Sequence, residues 1–594
     1  MARPLTFSNG ELQVELNQYG QVRHVYFPYL GFSASSPNMV HRIGVWVDGA
    51  LSWTDDGSWT HRARYLSATP IGHTVLVNDE LGVILEFEDL VEADASVFTR
   101  NIHIVNIRNQ QRSIRLFTHQ AFALNPSLSQ DTAQYLPNKS AILHYEGQRA
   151  FVISGLTDVG QSFDQHSVGL YGDGLDGTWR DADDGELAGS AVGCGQTDSI
   201  MRFSLTIGGL SSRRIHYWLA ASTSVRSALT QADTIRRTST SGRVDTTARK
   251  WSKWLTPGFK IADQLPAPYQ QQFIDSLIEI RNNIDLRGAI VSVDAAKSPL
   301  FSARTGAFVV WPLIRLGYKH EAAQYFNFCR QALSSDGYLA SRYHANGSLG
   351  PSTHPYDGNV APIQSDQTAV TLFVFSQYIA TSKPQKIVKD YYEGLVVPAA
   401  HFLADFTDDN GLPRPSYDFA DDKLEASTYT IGVTYAALLA SAELADKLQD
   451  QDSSVKWRTA AEDMRRAASE SIYTIEGLLK HSQERHTVSI SALFGAFMFG
   501  LIDITDERVK HTVGRIEQLY RHGSGLFGCA DDPGRIDYVG SLWMAQYYTE
   551  AGRSDEAEGI LARVVERVRS DGDHLPIWAH GELLSTLLDT MTRK

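Results

Sequence analysis

The sequence predicts a β + α multidomain protein, in which an N-terminal antiparallel β-sandwich is followed by an (α/α)6 barrel. Short alternating apolar segments separated by turn residues fill the first 220 or so residues. From about residue 265 onwards, apolar residues recur instead at helical spacing in twelve windows. The length of 594 residues exceeds what one ordinary hydrophobic core holds together, so two large domains are expected.

The barrel is predicted from the alternating lengths of the connections in the C-terminal half. Links after the odd-numbered helical windows are long and rich in Gly, Pro, Asp, His and Tyr, whereas the others are mostly turns of one to three residues. In a closed ring of helical hairpins this alternation places every long loop on one rim, and loops on a rigid scaffold commonly carry function. The windows are 266–284, 304–317, 319–334, 366–381, 384–406, 428–449, 453–472, 488–502, 506–521, 536–551, 555–570 and 578–592.

The N-terminal half contains many short strands without intervening helices, a pattern typical of an antiparallel sandwich. Two helices, Val225–Thr238 and Thr246–Leu255, follow it and are joined by the polar stretch Ser239–Asp245. We therefore expect a sandwich over residues 1–222, a helical linker over 223–264 and the barrel over 265–594. The predicted strands are Leu12–Leu16, Val22–Phe27, His73–Val77, Val83–Phe87, Phe98–Ile107, Ile114–Ala121, Ala141–Tyr145, Phe151–Ser154, Met201–Ile207 and Arg214–Ala220.

Composition limits the classes of partner. The formal net charge is −14 and the Lys and Arg residues do not cluster, so neither nucleic acid nor an anionic membrane is an expected partner. A neutral sugar is not disfavoured by this charge. Aromatic residues make up 10% of the chain, and several fall in the long loops, where their flat faces suit stacking on sugar rings. The oligomeric state is not predicted.

Cysteine usage and the N-terminus bear on location. Cys194, Cys329 and Cys529 are far apart and odd in number, so we expect reduced thiols in a reducing compartment. Met1–Gly10 lacks an apolar signal region, and no apolar run approaches the length of a membrane span. The cytoplasm is therefore the expected location.

Several motifs do not predict a cofactor or metal site. The Gly-x-Gly-x-x-Gly spacing at 172–177 is followed by Thr178-Trp179-Arg180 in a strand-rich region, so we interpret it as a surface loop. The aspartates that follow lack the order of a calcium-binding loop. His344 and His354 lie on one loop, but no third ligand stands at metal-site spacing, and we expect them to donate hydrogen bonds or cap turns. No cofactor and no metal are predicted.

The long loops of the barrel contain the carboxylates that glycoside cleavage requires. Such cleavage needs a protonated carboxyl near the leaving oxygen and a second carboxylate across the sugar. Asp366, Asp418, Asp421 and Asp422 all fall on the predicted rim. Three of them also have a structural alternative, because Asp366 is suited to capping a helix and Asp421-Asp422 to the turn before the next one.

These segments resemble glycoside hydrolase family 15, the glucoamylase family, in its prokaryotic two-domain form, over nearly the whole chain. The resemblance implies a β super-sandwich followed by an (α/α)6 barrel, and inverting release of glucose from the non-reducing end of α-glucosides. The matching stretches are 177–187 in the sandwich, and in the barrel Arg304-x-Gly306-Ala307, Gly347–Pro351 with Ser352-x-His354-Pro355, Pro362-Ile363-Gln364, Pro415-Ser416-Tyr417-Asp418, Thr428-Tyr429-Thr430 and Trp578-Ala579-His580-x-Glu582.

The departures from the family pattern fall on functional positions. Members usually read Trp-Pro-Arg-Asp-Gly where this chain has Ser302-Ala303-Arg304-Thr305-Gly306, so a sugar-packing Trp and a hydroxyl-binding Asp are absent. The Gln-x-Asp-Glu segment is Gln364-Ser365-Asp366-Gln367. The acid motif Asp-Leu-Trp-Glu-Glu is Asp418-Phe419-Ala420-Asp421-Asp422, which maps the general acid onto Asp421. Asp is one methylene shorter than Glu, and a misplacement of about 1 Å costs on the order of a hundredfold in rate.

The segment with the catalytic base is the largest departure. Family members carry Pro-Glu-Gln between the last two helices, whereas here Arg569–Pro576 leads almost directly into Ile577, and the glutamate is missing. Asp571 and Asp573 are the acidic residues that remain, and both also suit a polar turn. Glu582 is predicted inside the last helix, as a supporting or structural residue.

Three functions fit these residues. The first is a hydrolase of α-glucosidic oligosaccharides, with altered specificity, whose catalytic candidates are Asp421, Asp422 and Asp573. The second is a catalytically impaired pseudoenzyme of the same fold that binds carbohydrate or regulates. A different carbohydrate reaction that recruits Asp422 or Asp418 is a third. The residues expected to bind the sugar are Arg304, His354, Tyr356, Gln364, Asp366, Tyr417, Asp418, Trp578 and His580.

Overall fold

Antiparallel sheets form the first of two units in the computed structural model, which describes residues 5–37, 39–66, 69–124, 131–172, 174–292, 299–352, 363–382, 389–418, 423–571 and 575–591. Residues Met1–Thr256 together with Arg281–Leu286 form this unit, and Pro257–Ile280 with Arg287–Lys594 form the other. The finer division at residues 222 and 265 stays a prediction.

The N-terminal unit contains a three-stranded, a five-stranded and a nine-stranded sheet, with every named pair antiparallel. Their orders are β1-β2-β3, β14-β16-β10-β4-β5 and β15-β11-β12-β13-β17-β9-β8-β7-β6. The strands are β1 Thr6–Ser8, β2 Gln13–Leu16, β3 Val22–Tyr26, β4 Ile43–Val47, β5 Ala50–Trp53, β6 Thr60–Tyr65, β7 Gly72–Asn78, β8 Val83–Val91, β9 Val97–Asn106, β10 Arg112–Ala121, β11 Asp131–Leu136, β12 Ala141–Glu146, β13 Arg149–Thr157, β14 Gln165–Leu170, β15 Val192–Gly195, β16 Thr197–Ile207 and β17 Ser212–Ser222.

The predicted strands are present, and the antiparallel architecture is confirmed. Strand β7 alternates buried and half-buried residues along its whole length, as a strand with one face on a core must. The segment around Gly172 is a tight turn, with Gly172 N donating to Leu175 O at 3.0 Å, and only a short 3-10 turn, Thr178–Ala182, follows. The surface-loop interpretation therefore fits, and no dinucleotide-binding helix follows it.

Two helices complete this part of the chain, α1 Val225–Arg237 and α2 Thr240–Ala262. Ala228 and Ile235 of α1 pack in a cluster with Trp218 of β17. Our prediction of a polar link over Ser239–Asp245 is wrong, because α2 already begins at Thr240. A helix tolerates polar residues where one face stays in solvent, so composition alone placed the start too late.

Twelve helices follow in the described part of the second unit, in agreement with the predicted windows. They are α3 Ala267–Asn282, α4 Ala303–Leu316, α5 Lys319–Ala332, α6 Ser365–Ser382, α7 Val397–Asp405, α8 Thr428–Lys447, α9 Gln451–Ser471, α10 Ile490–Met498, α11 Glu507–Tyr520, α12 Tyr538–Glu550, α13 Ser554–Glu566 and α14 Ile577–Met591. A π-helical turn, Tyr392–Val396, leads into α7, and a small hairpin of β18 Val291–Ser292 and β19 Leu300–Phe301 precedes α4.

The helices close into an (α/α)6 barrel. Helices α4, α6, α8, α10, α12 and α14 each pack against the next, and α14 packs against α4, so the inner ring is complete. The first five inner helices each follow a long loop and lead by their next connection to an outer helix, and α14 follows a shorter connection, so all six begin at the same rim. The predicted single rim of long loops is therefore confirmed. No helix among the described residues is long and apolar enough to cross a membrane.

Inner helices approach closely where glycines face each other. A Cβ on Gly432 of α8 would lie 2.1 Å from the carbonyl oxygen of Gly495 on α10. A Cβ on Gly581 of α14 would lie 2.7 Å from the carbonyl oxygen of Phe308 on α4. Only glycine leaves room for backbones at this separation.

Aromatic side chains from the inner helices fill the ring interior. The Phe494 and Trp543 rings are stacked with centroids 4.2 Å apart, and the Phe308 and Trp578 rings are stacked at 5.4 Å. Tyr429 of α8 lies 6.3 Å from Trp543, nearly parallel to it. These five rings come from α4, α8, α10, α12 and α14, so they join most of the ring in one apolar core.

Candidate active site

A buried ion pair joins the starts of α4 and α6 at the rim. Arg304 Nε donates to Asp366 Oδ2 at 2.5 Å, and Nη2 donates to Oδ1 at 3.1 Å. The side chains are 7% and 0% exposed. Gln367 supports the pair, because its Oε1 accepts from the backbone N of Arg304 at 3.4 Å. Two residues predicted to bind the sugar are thus brought together.

Hydrogen bonds tie the loop before α6 to the loop before α8. Gln364 Nε2 donates to the carbonyl oxygen of Asp418 at 3.3 Å, and Tyr417 N donates to Ile363 O at 3.2 Å. The hydroxyls of Ser365 and Ser416 are 3.0 Å apart. Gln364, Tyr417 and Asp418 therefore lie in one part of the rim, beside the Arg304–Asp366 pair.

Tyr429, near the start of α8, marks where the charged groups converge. Burial raises its pKa well above the ordinary value, and the negative charge of Asp366 raises it further. The positive charge of Arg304 lowers the pKa of Tyr429, while Glu582 and Asp418 raise it further. Four ionisable side chains from four different segments thus lie close enough to one phenol to act on it.

Glu582 is a buried carboxyl, although its place inside the last helix predicted a supporting or structural role. Gln546 Nε2 donates to its Oε2 at 2.7 Å. Burial raises its pKa to about 7, which the Gln546 amide and the indole N–H groups of Trp543 and Trp578 partly oppose. No cationic side chain among the described residues forms an ion pair with it. The sequence signal for Glu582 is an acidic residue between apolar residues of the last helix, at four residues from Trp578.

Trp578 and His580 occupy opposite sides of α14. Trp578 and Glu582 are four residues apart and share a helix face, whereas His580 lies between them and points elsewhere. Trp578 is half-buried at the start of the helix, with Phe308 stacked on it. His580 is buried, and its Nδ1 lies 3.0 Å from the hydroxyl of Ser276 on the outer helix α3. The structure therefore places Trp578 on the ring side and His580 against α3.

A second charged network lies beside Asp418 and was not predicted. Arg485 Nε donates to Glu425 Oε1 at 2.6 Å, and its Nη2 lies 2.8 Å from His481 Nε2. Because arginine only donates, that nitrogen accepts and Nδ1–H donates to Ser489 Oγ at 2.9 Å. Burial lowers the pKa of His481, against the raising effect of Asp418. His481 thus joins Arg485 to Ser489, the N-cap residue of α10.

Five of the candidate residues lie outside the described residues. They are His354, Tyr356, Asp421, Asp422 and Asp573. Ser416 and Glu425, which flank Asp421 and Asp422 in the sequence, form a backbone pair in which Ser416 N donates to Glu425 O at 3.0 Å and Glu425 N donates to Ser416 O at 3.1 Å. Among the described residues, no group of three or more His, Cys, Asp or Glu is arranged to hold a metal ion.

Comparison of the whole chain with solved structures gives the fold. A bacterial glucoamylase, crystallised in complex with acarbose, superposes with a TM-score of 0.78 at 14% sequence identity, covering 100% of this chain and 94% of that one. The chain has the fold of bacterial glucoamylase. A candidate kojibiose phosphorylase from the human microbiome is also similar, with a TM-score of 0.62 at 10% identity, covering 98% of this chain and 86% of the other.

Sequence comparison is consistent with this glucoamylase-like fold. An uncharacterized glycosyl hydrolase of Methanocaldococcus jannaschii is 20% identical over 566 residues, which cover 91% of this chain and 86% of that protein. No family model matches the sequence.

The connection before the last inner helix is short in this glucoamylase-like barrel. Helix α13 ends at Glu566, a π-helical turn occupies Arg567–Asp571, and α14 begins at Ile577. Only residues 572–576 remain between them, and no glutamate stands anywhere in 567–576. A base from this connection would have to be an aspartate.

Proposed function

We propose that this protein is a glycoside hydrolase that acts on α-glucosidic oligosaccharides by an inverting acid–base mechanism. The observation that supports the proposal best is the convergence of Arg304, Asp366, Asp418 and Glu582 around Tyr429, at the rim where the loops meet. Sites for neutral sugars combine carboxylates with aromatic faces, and both are present here. The similar bacterial glucoamylase was crystallised with acarbose, which agrees with a carbohydrate ligand.

The sugar-binding part of the proposal assigns most rim residues to positioning. Arg304 and Asp366 hold each other in a fixed fork–fork geometry, so in the proposed site both side chains are already positioned before a sugar binds. Trp578 offers an indole face beside them. Gln364, Tyr417 and Asp418 form the adjoining wall, and His354 and Tyr356 complete the proposed set, whereas His580, which faces α3, is left out of it.

The acid–base part assigns proton donation to Asp421. A second carboxylate must then activate water at roughly 6.5–9.5 Å from the acid. Asp366 is poorly suited, because both its oxygens accept from Arg304 and its side chain is 0% exposed. Asp573 is the better candidate base, since it lies in the short connection before α14 and no glutamate is available there. Asp422, next to the acid, is the remaining catalytic candidate.

The experiment that tests the proposal is a hydrolysis screen on maltose, isomaltose, trehalose and maltooligosaccharides. Proton NMR follows the anomer released, with Asp421→Ala as the blank. Prompt β-glucose that disappears in the variant supports an inverting enzyme with Asp421 as acid. A parallel series with inorganic phosphate separates hydrolysis from phosphorolysis, because only the second yields a sugar phosphate.

The shortened connection favours a second candidate, a pseudoenzyme of the same fold that binds carbohydrate or regulates. The absence of any glutamate in residues 567–576 removes the usual source of a base. Thermal stabilisation by one of the sugars, with no product from any of them, would support this second function and exclude the first.

A further inference from the structure

A cleft of about 360 Å³ lies between the end of α5 and the last turns of α7, apart from the residues assigned to the rim. Its volume is in the range of small-molecule sites. One wall is the turn after α5 and the other is α7. The lining residues are Ser335, Asp336, Pro398, His401, Phe402, Asp405 and Phe406.

The α7 wall is a single helix face. Its residues stand at positions i, i+3, i+4, i+7 and i+8, a spacing that places side chains on one side of a helix. The Phe402 and Phe406 rings are stacked with centroids 5.1 Å apart. Asp405 is exposed at the edge of this face, with Lys456 at 2.8 Å. The face therefore presents two aromatic rings bordered by a carboxylate.

The opposite wall is held rigidly against α7. Gly337 has φ +86°, and a Cβ there would lie 2.2 Å from the carbonyl oxygen of Pro398, so only glycine fits the turn at this distance. Gly337 N donates to Ser334 O at 3.0 Å, and the Tyr338 ring lies 5.5 Å from that of Phe402. The cleft is thus preformed, which lowers the entropic cost of binding.

The polar groups of the cleft include both donors and acceptors. Trp457 Nε1 donates to His401 Nδ1 at 3.3 Å, so the proton of the neutral imidazole resides on Nε2, which is left as a donor. Burial and Lys456 lower the pKa of His401, which keeps it neutral. Ser335 adds a hydroxyl, and the exposed Asp336 and Asp405 are acceptors.

This combination selects among ligand classes. The two carboxylates oppose an anion, and no metal-binding group exists among the described residues. A cation would leave the His401 and Ser335 donors unused. Sugar hydroxyls both donate and accept, and the apolar face of a pyranose stacks on aromatic rings.

We propose that the cleft is a second carbohydrate site, which holds part of a neutral oligosaccharide beside the rim. Helices α5 and α7 lead directly into the loops that carry Gln364 and Asp418, so a chain bound here lies next to those loops. The choice of an α-glucan rests on the proposed function, whereas the cleft chemistry does not.

Hydrogen–deuterium exchange locates the bound sugar. The probe is maltohexaose, added to full-length protein carrying Asp421→Ala so that it is not consumed. We expect slower exchange in peptides covering 334–339 and 397–407. In the variant Asp336→Ala/Phe406→Ala, the maltohexaose concentration that gives half of this protection should rise about tenfold, because stacking and a hydrogen bond are both lost.

Two controls make the outcome decisive. Asp263→Ala removes an exposed carboxylate elsewhere in the same unit, and Trp578→Ala alters the rim; both should keep the protection at the cleft. Protection limited to the rim loops, or unchanged in the double variant, would overturn the second site. Cleft protection without any hydrolysis by the wild type would instead contradict the proposed enzymatic function and leave the second site standing.

Discussion

The guanidinium of Arg304 contacts both carboxylate oxygens of Asp366, with Nε–Oδ2 at 2.5 Å and Nη2–Oδ1 at 3.1 Å, where α4 and α6 begin. Because the pair is buried, each charge depends on the other to offset the loss of water. It fixes two of the six inner helices at their rim ends, so the proposed sugar site and the ring are stabilised by the same contact.

Asp366→Asn should therefore destabilise the barrel unit by about 3–5 kcal/mol, because it leaves Arg304 buried without its counter-charge. Chemical denaturation followed by tryptophan fluorescence measures this. The exposed pair Arg458–Asp446, at 2.6 Å, supplies the control, and Asp446→Asn there should change stability by less than about 1 kcal/mol. Equal effects of the two variants would contradict the importance of burial.

Glu582 should make stability depend on pH near neutrality. Burial raises its pKa to about 7 in the folded protein, above the ordinary value of 4.5, so the folded state binds the proton more tightly. The stabilising contribution is therefore complete below about pH 4.5 and is lost as pH rises through 7, with an upper limit of about 3 kcal/mol. Glu582→Gln should remove this pH dependence of the free energy of unfolding. The variant should therefore become more stable relative to wild type as the pH rises from 5 to 8.

Melting temperatures of wild type and Glu582→Gln across that pH range provide the measurement. Tryptophan fluorescence is a second readout, because Trp543 and Trp578 lie beside the carboxyl. The control Glu462→Gln, at an exposed position, should show the same change of melting temperature with pH as wild type. If the melting temperature of Glu582→Gln also changes with pH as that of wild type does, the Glu582 carboxyl does not titrate in this range.

Gly432→Ala should disturb the contact between α8 and α10. The added Cβ would lie 2.1 Å from Gly495 O, so the two helices must separate, at a cost of about 1–3 kcal/mol. Gly514→Ala in α11 is the matched control, since nothing lies within 4 Å of its added Cβ. The free energy of unfolding of Gly514→Ala should rise by about 0.5–1 kcal/mol, because alanine has the higher helix propensity. Thermal unfolding measures whether each variant is less or more stable than wild type. A change of the same sign in both variants would contradict close packing of the ring.

Trp578→Ala should weaken binding of maltooligosaccharides, because it removes the half-buried indole at the start of α14. Titration calorimetry in the Asp421→Ala background measures the affinity without turnover. Trp179→Ala in the N-terminal unit is the control and should leave the affinity unchanged. An unaltered affinity in Trp578→Ala would remove this residue from the sugar site.

The ring was predictable because its signal is local and repeated. The spacing of apolar residues predicted the helices, and the alternating lengths of the links predicted that the helices close into a ring. The errors lie at helix ends such as that of α10. The predicted end at residue 502 is past the true end at Met498, because Gly500 turns with φ +69°. In the sandwich, β6 was missed since five of its six residues are exposed or half-buried, which leaves little apolar alternation to detect.

The site was less predictable because its contacts join distant residues. The Arg485–Glu425 and Arg304–Asp366 pairs are separated by about 60 residues each, and no spacing rule links them. His580 was expected at the sugar because its motif matches, yet its position two residues from Trp578 turns it towards α3. Glu582 was predicted to be a supporting or structural residue because it lies inside the last helix, and its burial there is also what raises its pKa.

The shared direction of the inner helices has an electrostatic consequence. Six helix dipoles point their positive ends at one rim, and each favours negative charge in its first turn. Asp366 is the second residue of α6 and benefits from this field, whereas Glu582 lies in the second turn of α14, where the effect has faded. Depth along the ring therefore separates Asp366, which lies in the field of its own helix N-terminus, from Glu582, whose pKa is raised by burial.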